Sequence, residues 1–250
     1  LGLGDIFITG LHPIAMGEQT FQMPPPCALV KIPRARWELL DMKKYRAHNW
    51  HCLHDLESRG HYASLYTSFG CPFDCDYCNI HTIYQGRAVY YRPPEEVIAE
   101  IGLLVNTYGV KNLKLCDELF TLNQDHVKSI CSGIKDYNLN IWAYARLDSV
   151  DEDLLSVMKD AGINWLAYGF ESVGDKKFID RTERVIDMTR DAGINIIGNF
   201  MFGLPSDTEE TMQASLAFAK KYLFEYVNFY VAYPYPGSRW YEETGPSLEW

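Results

Sequence analysis

No apolar run in this 250-residue sequence approaches the roughly 20 residues that cross a bilayer as a helix. No membrane partner is therefore expected. Positive charge is also short: 23 Lys and Arg stand against 33 Asp and Glu, a net charge of −10. A protein held on phosphate backbones would want a basic face, so no nucleic-acid partner is expected. The first residues carry no basic-then-apolar leader, which points to the cytoplasm. A disulfide scaffold does not fit either. The seven cysteines are odd in number, and three of them fall within eight residues. That usage suits a reducing compartment and a metal site. Apolar residues at 47% and charged residues at 22% are ordinary globular proportions, which excludes disorder, collagen and coiled coil.

What is present falls into two parts. Residues 1–60 hold a short apolar strand, Asp5–Thr9, then Pro24-Pro25-Pro26 and Trp37-Glu38-Leu39-Leu40. Three consecutive prolines enter neither a helix interior nor a central strand, so this part reads as the tail of one unit and a linker. From residue 61 strand and helix signals alternate. Strands are expected around Ala63–Thr67, then at Asn112–Cys116, Ile141–Ala145, Trp165–Phe170, Asn195–Phe202 and Tyr226–Ala232. Helices are expected from Pro93-Pro94-Glu95-Glu96 to Gly109, from the cap Asn123 to Asp136, and over Glu152–Ala161 and Arg181–Ala192. A further helix opens at the capping-box pattern Ser206-x-x-Glu209. Asp160-Ala161-Gly162-Ile163-Asn164 recurs as Asp191-Ala192-Gly193-Ile194-Asn195, each copy ending a helix and launching a strand. Such alternation implies an α/β fold with a parallel sheet. Six units suggest a partial (β/α)6 barrel, with an open doubly wound sheet as the alternative. Either way the chemistry belongs at the carboxyl ends of the strands.

The sharpest motif lies there: Cys71-Pro72-Phe73-Asp74-Cys75-Asp76-Tyr77-Cys78. A mononuclear zinc site normally takes four ligands, and no second Cys-x-x-Cys pair follows. Three thiolates suit a four-iron cluster with one iron left for another ligand. The bland alternative is three unrelated buried thiols.

This Cys-x3-Cys-x2-Cys loop after the first strand, with the aromatic Tyr77 before the third cysteine, resembles the radical S-adenosylmethionine (SAM) superfamily. The resemblance runs through residues 61–241. It implies a [4Fe–4S] cluster on Cys71, Cys75 and Cys78, whose open iron is chelated by the amino and carboxylate groups of SAM. It further implies reductive cleavage of SAM to methionine and a 5′-deoxyadenosyl radical, which takes a hydrogen atom from substrate. Later strand ends supply the implied cofactor pocket. Asp117 and Glu118 would face the methionine ammonium, unless they merely cap a helix. Arg146 would hold the methionine carboxylate by its fork, unless it forms a surface ion pair. Glu171 and Ser172 resemble the Gly-x-Glu-Ser element that contacts the cofactor. Gly198-Asn199-Phe200-Met201-Phe202-Gly203 is similar to the segment that approaches the adenine, with Asn199 and Gly203 in contact.

Outside the barrel, Gly10-Leu11-His12-Pro13-Ile14-Ala15-Met16, Trp37–Arg46 and Tyr233–Ser238 resemble segments of the cobalamin-dependent (B12-dependent) branch. That implies cobalamin as a third cofactor and methylation of an unactivated carbon. A radical rearrangement or cyclisation without methyl transfer, or a non-catalytic metal-binding module, are the other readings. The branch's Asp-x-His-x-x-Gly loop is absent, so cobalamin rests on neighbouring segments and not on a ligand. The expected organisation is a remnant or incomplete cobalamin-binding domain plus linker at 1–60, the radical SAM barrel at 61–241, and the start of a C-terminal extension at 242–250. Partners implied are a small-molecule or natural-product substrate and an external electron donor such as flavodoxin or ferredoxin. His51-Cys52-Leu53-His54 lacks a second ligand pair and reads as linker packing. Cys27, Cys116 and Cys131 read as small buried hydrophobes.

Overall fold

The computed structural model describes residues 34–53, 55–174 and 176–244. The strand expected at Asp5–Thr9, the segment Gly10–Met16, the three prolines, Cys27, His54 and residues 245–250 lie outside them.

Six parallel strands form one sheet: β1 (Tyr62–Leu65), β4 (Asn112–Leu115), β5 (Asn140–Ala145), β6 (Ile163–Glu171), β7 (Asn195–Phe202) and β8 (Tyr226–Val231). Their spatial order is their chain order. A doubly wound sheet reverses direction at a switch point. This one does not, and β1 and β8 are not paired with each other, so the sheet is an incomplete barrel. The helices are α1 (Ile80–Tyr84), α2 (Pro94–Tyr108), α3 (Gln124–Ile134), α4 (Glu152–Asp160), α5 (Lys176–Asp191), α6 (Glu209–Tyr222) and α7 (Arg239–Thr244). Among the described residues no helix is long and apolar enough to cross a membrane.

Local chemistry sets the boundaries. Helix α2 starts with proline and two acids in its first turn, and stops at Gly109, whose φ is +65°. Asn123 caps α3 through His126 N–H, and Asp151 caps α4 through Leu154 N–H. In the repeated Asp-Ala-Gly-Ile-Asn segment, Gly162 has φ +89°, and a β-carbon there would lie 2.2 Å from the Leu139 carbonyl oxygen. Only glycine makes that turn. One cap differs from expectation: α6 is capped by Thr208 and Thr211 in a reciprocal box, not by Ser206 and Glu209. The reason is Asp207, whose carboxylate binds the preceding loop and delays the helix by two residues.

Helices α1 and α7, one hairpin and the role of the segment before β1 escaped the sequence pattern. A two-residue antiparallel hairpin, β2 (Ser68–Phe69) with β3 (Tyr90–Tyr91), brackets the cysteine loop and α1. The segment 34–60 is more than a linker, because it closes the base of the barrel. Strand alternation sends Leu113, Leu115, Ile141, Leu166, Tyr168, Ile196 and Phe200 outward into the helix-packed core. Trp142, Trp165, Ala167 and Ile197 point the other way and form a second apolar cluster. Trp50 meets the rings of Trp142 and Trp165 edge-on, each at 5.3 Å. These two tryptophans lie early in β5 and β6, so Trp50 plugs the amino-terminal end of the lumen. The same segment is pinned to α2 by Trp37 Nε1, which donates to buried Glu100 at 2.7 Å.

Candidate functional site

The cysteine loop leaves β2 at the carboxyl end of β1, where a parallel barrel places its chemistry. Cys71, Cys75 and Cys78 are half-buried free thiols. Gly70 enters the loop at φ +94°, and a β-carbon there would lie 2.3 Å from the Ala88 carbonyl oxygen. Glu118 accepts from Gly70 N–H at 3.0 Å and from the Tyr84 hydroxyl at 2.9 Å, so it holds the residue before the first cysteine. His81 ties the loop across, with Nε2 at 2.7 Å from the Phe73 carbonyl and Nδ1 at 3.1 Å from that of Gly86.

A latch from the far end of the chain closes over the loop. Trp240 N–H donates to the Asp76 carbonyl at 2.9 Å, and Arg239 pairs with Asp76 and donates to the Asp74 carbonyl at 3.2 Å. The Thr82 hydroxyl donates to the Gly237 carbonyl at 2.9 Å. Arg239→Ala removes two of these links. Exposed charge pairs are worth ~1 kcal/mol or less, so amide exchange over 74–79 is expected to quicken about threefold to tenfold while that of β5 and β6 stays unchanged. Hydrogen exchange with mass spectrometry measures it, and equal protection in both proteins would show that the latch carries no restraint.

Burial pushes the thiols of Cys71 and Cys78 up, while the Arg146 charge pulls Cys71 back. For Cys71 and Cys78 only a positive centre would favour the thiolate at neutral pH. Among the described residues no three His, Cys, Asp or Glu side chains close on one ion-sized point. A mononuclear site needs that closure. A four-iron cube takes one thiolate per iron, so three spaced thiols on one loop fit it.

The strand ends sort the other candidates. Asp117 does not reach the mouth: it is 0% exposed and accepts from Thr67 N–H, the Thr67 hydroxyl and the Ser68 hydroxyl at 2.7, 2.5 and 2.7 Å. Its carboxylate is saturated, and it fixes the β1–β2 turn instead of offering an acceptor. Neither it nor Glu118 caps a helix, since α3 is capped by Asn123. Arg146 is not a free fork. Its Nε and terminal nitrogen close on Asp148 at 2.9 and 3.0 Å, and its flat face lies 3.8 Å from the Phe73 ring centre. It supports the cysteine loop by stacking.

Glu171 ends β6 with φ +57°, where the β6–β7 register also slips. A side-chain-bearing residue there costs on the order of 1 kcal/mol or more, a cost that recurs at functional sites. Burial pushes Glu171 up to about 7, against the pull of the Tyr77 hydroxyl and the Arg146 charge. Glu118 is likewise pushed up to about 7 by burial. The Tyr77 phenol lies beside Cys75 and Glu171, so it bridges the loop and the β6 end. Ser172 donates to Asp207 at 2.9 Å, and Asn199 accepts from Asn228 at 2.9 Å. Gly203 N–H and Leu204 N–H donate to Asp207 at 2.9 and 3.0 Å. Asp207 therefore joins the β6 and β7 ends, a role not read from the sequence. Its position four residues past Gly203, in a turn rich in small and polar residues, is the available signal. Cys131 is buried as expected, but Cys116 is half-buried on the lumen face beside Ser64 and is not part of the helix-packed core.

A family model described as the Radical SAM superfamily matches residues 65–219. The chain belongs to that superfamily. Its members' shared cofactors are a [4Fe–4S] cluster and SAM. An uncharacterized methyltransferase of Pyrococcus horikoshii is 32% identical over 87% of this chain and 48% of its own length. A cytidylyl-2-hydroxyethylphosphonate methyltransferase of Streptomyces wedmorensis is 27% identical over 83% of this chain and 42% of its own length. The chain thus spans about half the length of the curated relatives it matches. Among solved structures, the radical SAM methyltransferase TsrM of Kitasatospora setae, with cobalamin and a [4Fe–4S] cluster bound, superposes with a TM-score of 0.67 at 20% identity. That match covers 76% of this chain and 38% of the other. The matched residues run from the last residue of β1 into α6.

Proposed function

We propose that the protein is a radical SAM enzyme that methylates an unactivated carbon of a small-molecule or natural-product substrate, with cobalamin as a third cofactor. The observation that carries this reading is the cysteine loop at the strand ends, flanked by two half-buried carboxylates whose acceptor capacity is not saturated. Cys71, Cys75 and Cys78 would hold the cluster. Bound there, cluster and SAM supply a 5′-deoxyadenosyl radical. With Asp117 consumed by the β1–β2 turn, Glu118 and Glu171 are the carboxylates left for the methionine ammonium. A buried cation requires such an acceptor, and it would draw both groups to their ionised forms. Ser172, Asn199 and Gly203 line the β6–β7 side, where the Asp207 links hold the backbone for the nucleoside. Electrons would come from an external donor such as flavodoxin or ferredoxin. Cobalamin is supported by the likeness to TsrM and by the segments at Gly10–Met16 and Trp37–Arg46. Residues 1–60 would then be the tail of a cobalamin-binding-type domain with its linker. The methyltransferase names of the two relatives favour methyl transfer over cyclisation.

Anaerobic reconstitution with iron and sulfide tests the core of the reading through absorbance near ~400 nm and release of 5′-deoxyadenosine. Glu171→Gln is expected to keep fold and cluster but to weaken SAM binding about tenfold to a hundredfold, the loss of one charge-assisted hydrogen bond. A dissociation constant changed by less than about threefold would put Glu171 outside the site. The pH dependence has a definite sign. Both carboxylates have folded-state values raised from 4.5 to about 7, so their burial favours the fold below pH 4.5, and that contribution is lost as pH rises through 7. Cation binding runs the other way. SAM affinity is expected to fall as pH drops from 8 to 6, and to fall less in Glu171→Gln.

A further inference from the structure

On β4, Leu113 and Leu115 point into the helix-packed core, each 0% exposed. Strand alternation therefore sends Lys114 and Cys116 to the lumen. Both are half-buried, and the neighbouring lumen positions Ser64 and Gly169 are exposed, so solvent reaches this face. The Lys114 ammonium lies 4.4 Å from the Trp142 ring centre and 5.4 Å from that of Tyr144. Among the described residues no carboxylate lies within ion-pair distance of it. The rim carboxylates have other partners: Glu118 binds Gly70 and Tyr84, and Glu171 faces Tyr77.

A cation held inside a cavity is costly unless something compensates it. Ring faces supply part of that compensation. They leave the ammonium's donor hydrogens free for an acceptor. The surroundings are flat and aromatic, with Tyr66 and Tyr144 beside Cys116 and Tyr144 packed edge-on against Trp142 at 5.2 Å. The lumen thus carries two carboxylates at the rim and one ammonium near an apolar, aromatic floor.

We infer that Lys114, with the rings of Trp142 and Tyr144, forms a subsite for the anionic group, carboxylate or phosphate, of a planar substrate lying in the lumen. The floor attracts that group, so the substrate lies anion inward and presents its opposite end to the cysteine loop. This rests on the proposed reading only in taking the lumen as the place where substrate reacts.

The test uses the whole 250-residue chain and two probes of equal shape, para-fluorobenzoate and para-fluorobenzamide, titrated by fluorine NMR. The wild-type protein is expected to bind the benzoate at least about tenfold more tightly than the amide. Lys114→Met should erase that preference and leave the amide's affinity unchanged. Lys114→Arg, which keeps the charge, should retain the preference. Equal affinities in the wild type, a preference that survives Lys114→Met, or binding of neither probe would overturn the inference. The probes need no cluster, so the two readings fail separately. Cluster loading and 5′-deoxyadenosine release without the benzoate preference would remove the subsite alone. The preference without SAM cleavage would remove the proposed chemistry and leave the subsite standing.

Discussion

Changing any one of Cys71, Cys75 or Cys78 to Ala is expected to abolish iron binding and 5′-deoxyadenosine release, and Cys131→Ala to leave both intact. Ligand count carries the expectation. Two thiolates cannot hold three irons against water, so iron content should fall from about four per chain to well below one. Cys131 is 1% exposed on α3, and burial pushes its thiol up to about 12. Such a thiol is inert and contributes packing only. Iron and sulfide analysis of the four reconstituted variants decides the assignment. If Cys131→Ala lost the cluster as fully as Cys75→Ala, the three loop cysteines would not be the ligand set.

Arg92→Met is expected to lower the unfolding free energy by about 3–5 kcal/mol, the usual cost of leaving one member of a buried ion pair alone. Arg92 donates to Glu100 at 2.6 Å and to the Tyr66 carbonyl at 2.8 Å, and the pair's side chains are 9% and 2% exposed. The Trp37 indole shares Glu100, so the segment before the barrel loosens with it. The double variant Arg92→Met, Glu100→Met should recover more than half of the loss, because a buried pair replaced by apolar groups is often neutral. Urea unfolding of the wild type and both variants measures this. A single variant within about 1 kcal/mol of wild type would mean that the pair is hydrated and not buried.

The barrel was legible because its signals are local. Glycine stops at Gly109, Gly162 and Gly193, apolar periodicity in α2 and α3, and three cysteines at a strand end all act over a few residues. Helix and strand limits came within a few residues for the same reason, apart from the longer start of α5. What stayed hidden depends on partners distant in sequence. Asp117 looks like an open acceptor until Thr67 and Ser68, about 50 residues earlier, are seen to fill it. Trp50 looks like linker until β5 and β6 bring Trp142 and Trp165 beneath it. The β2–β3 hairpin is two residues per strand, too short for any alternation to register. Arg146 is the exception, because its partner Asp148 is two residues away. There the choice between a cofactor fork and a local pair depended on loop shape, which composition does not reveal.

Trp50, Trp142 and Trp165 gather three of the chain's six tryptophans at one compartment. The protein therefore carries its own optical reporter. Light absorbed by these indoles is re-emitted from the floor of the cup, beneath the thiol loop and beside the Lys114 ammonium. A chromophore seated above them, or a solute that displaces water from the floor, alters the colour or the yield of that emission. Filling of the interior can thus be followed by ultraviolet excitation alone, with no label and no substitution.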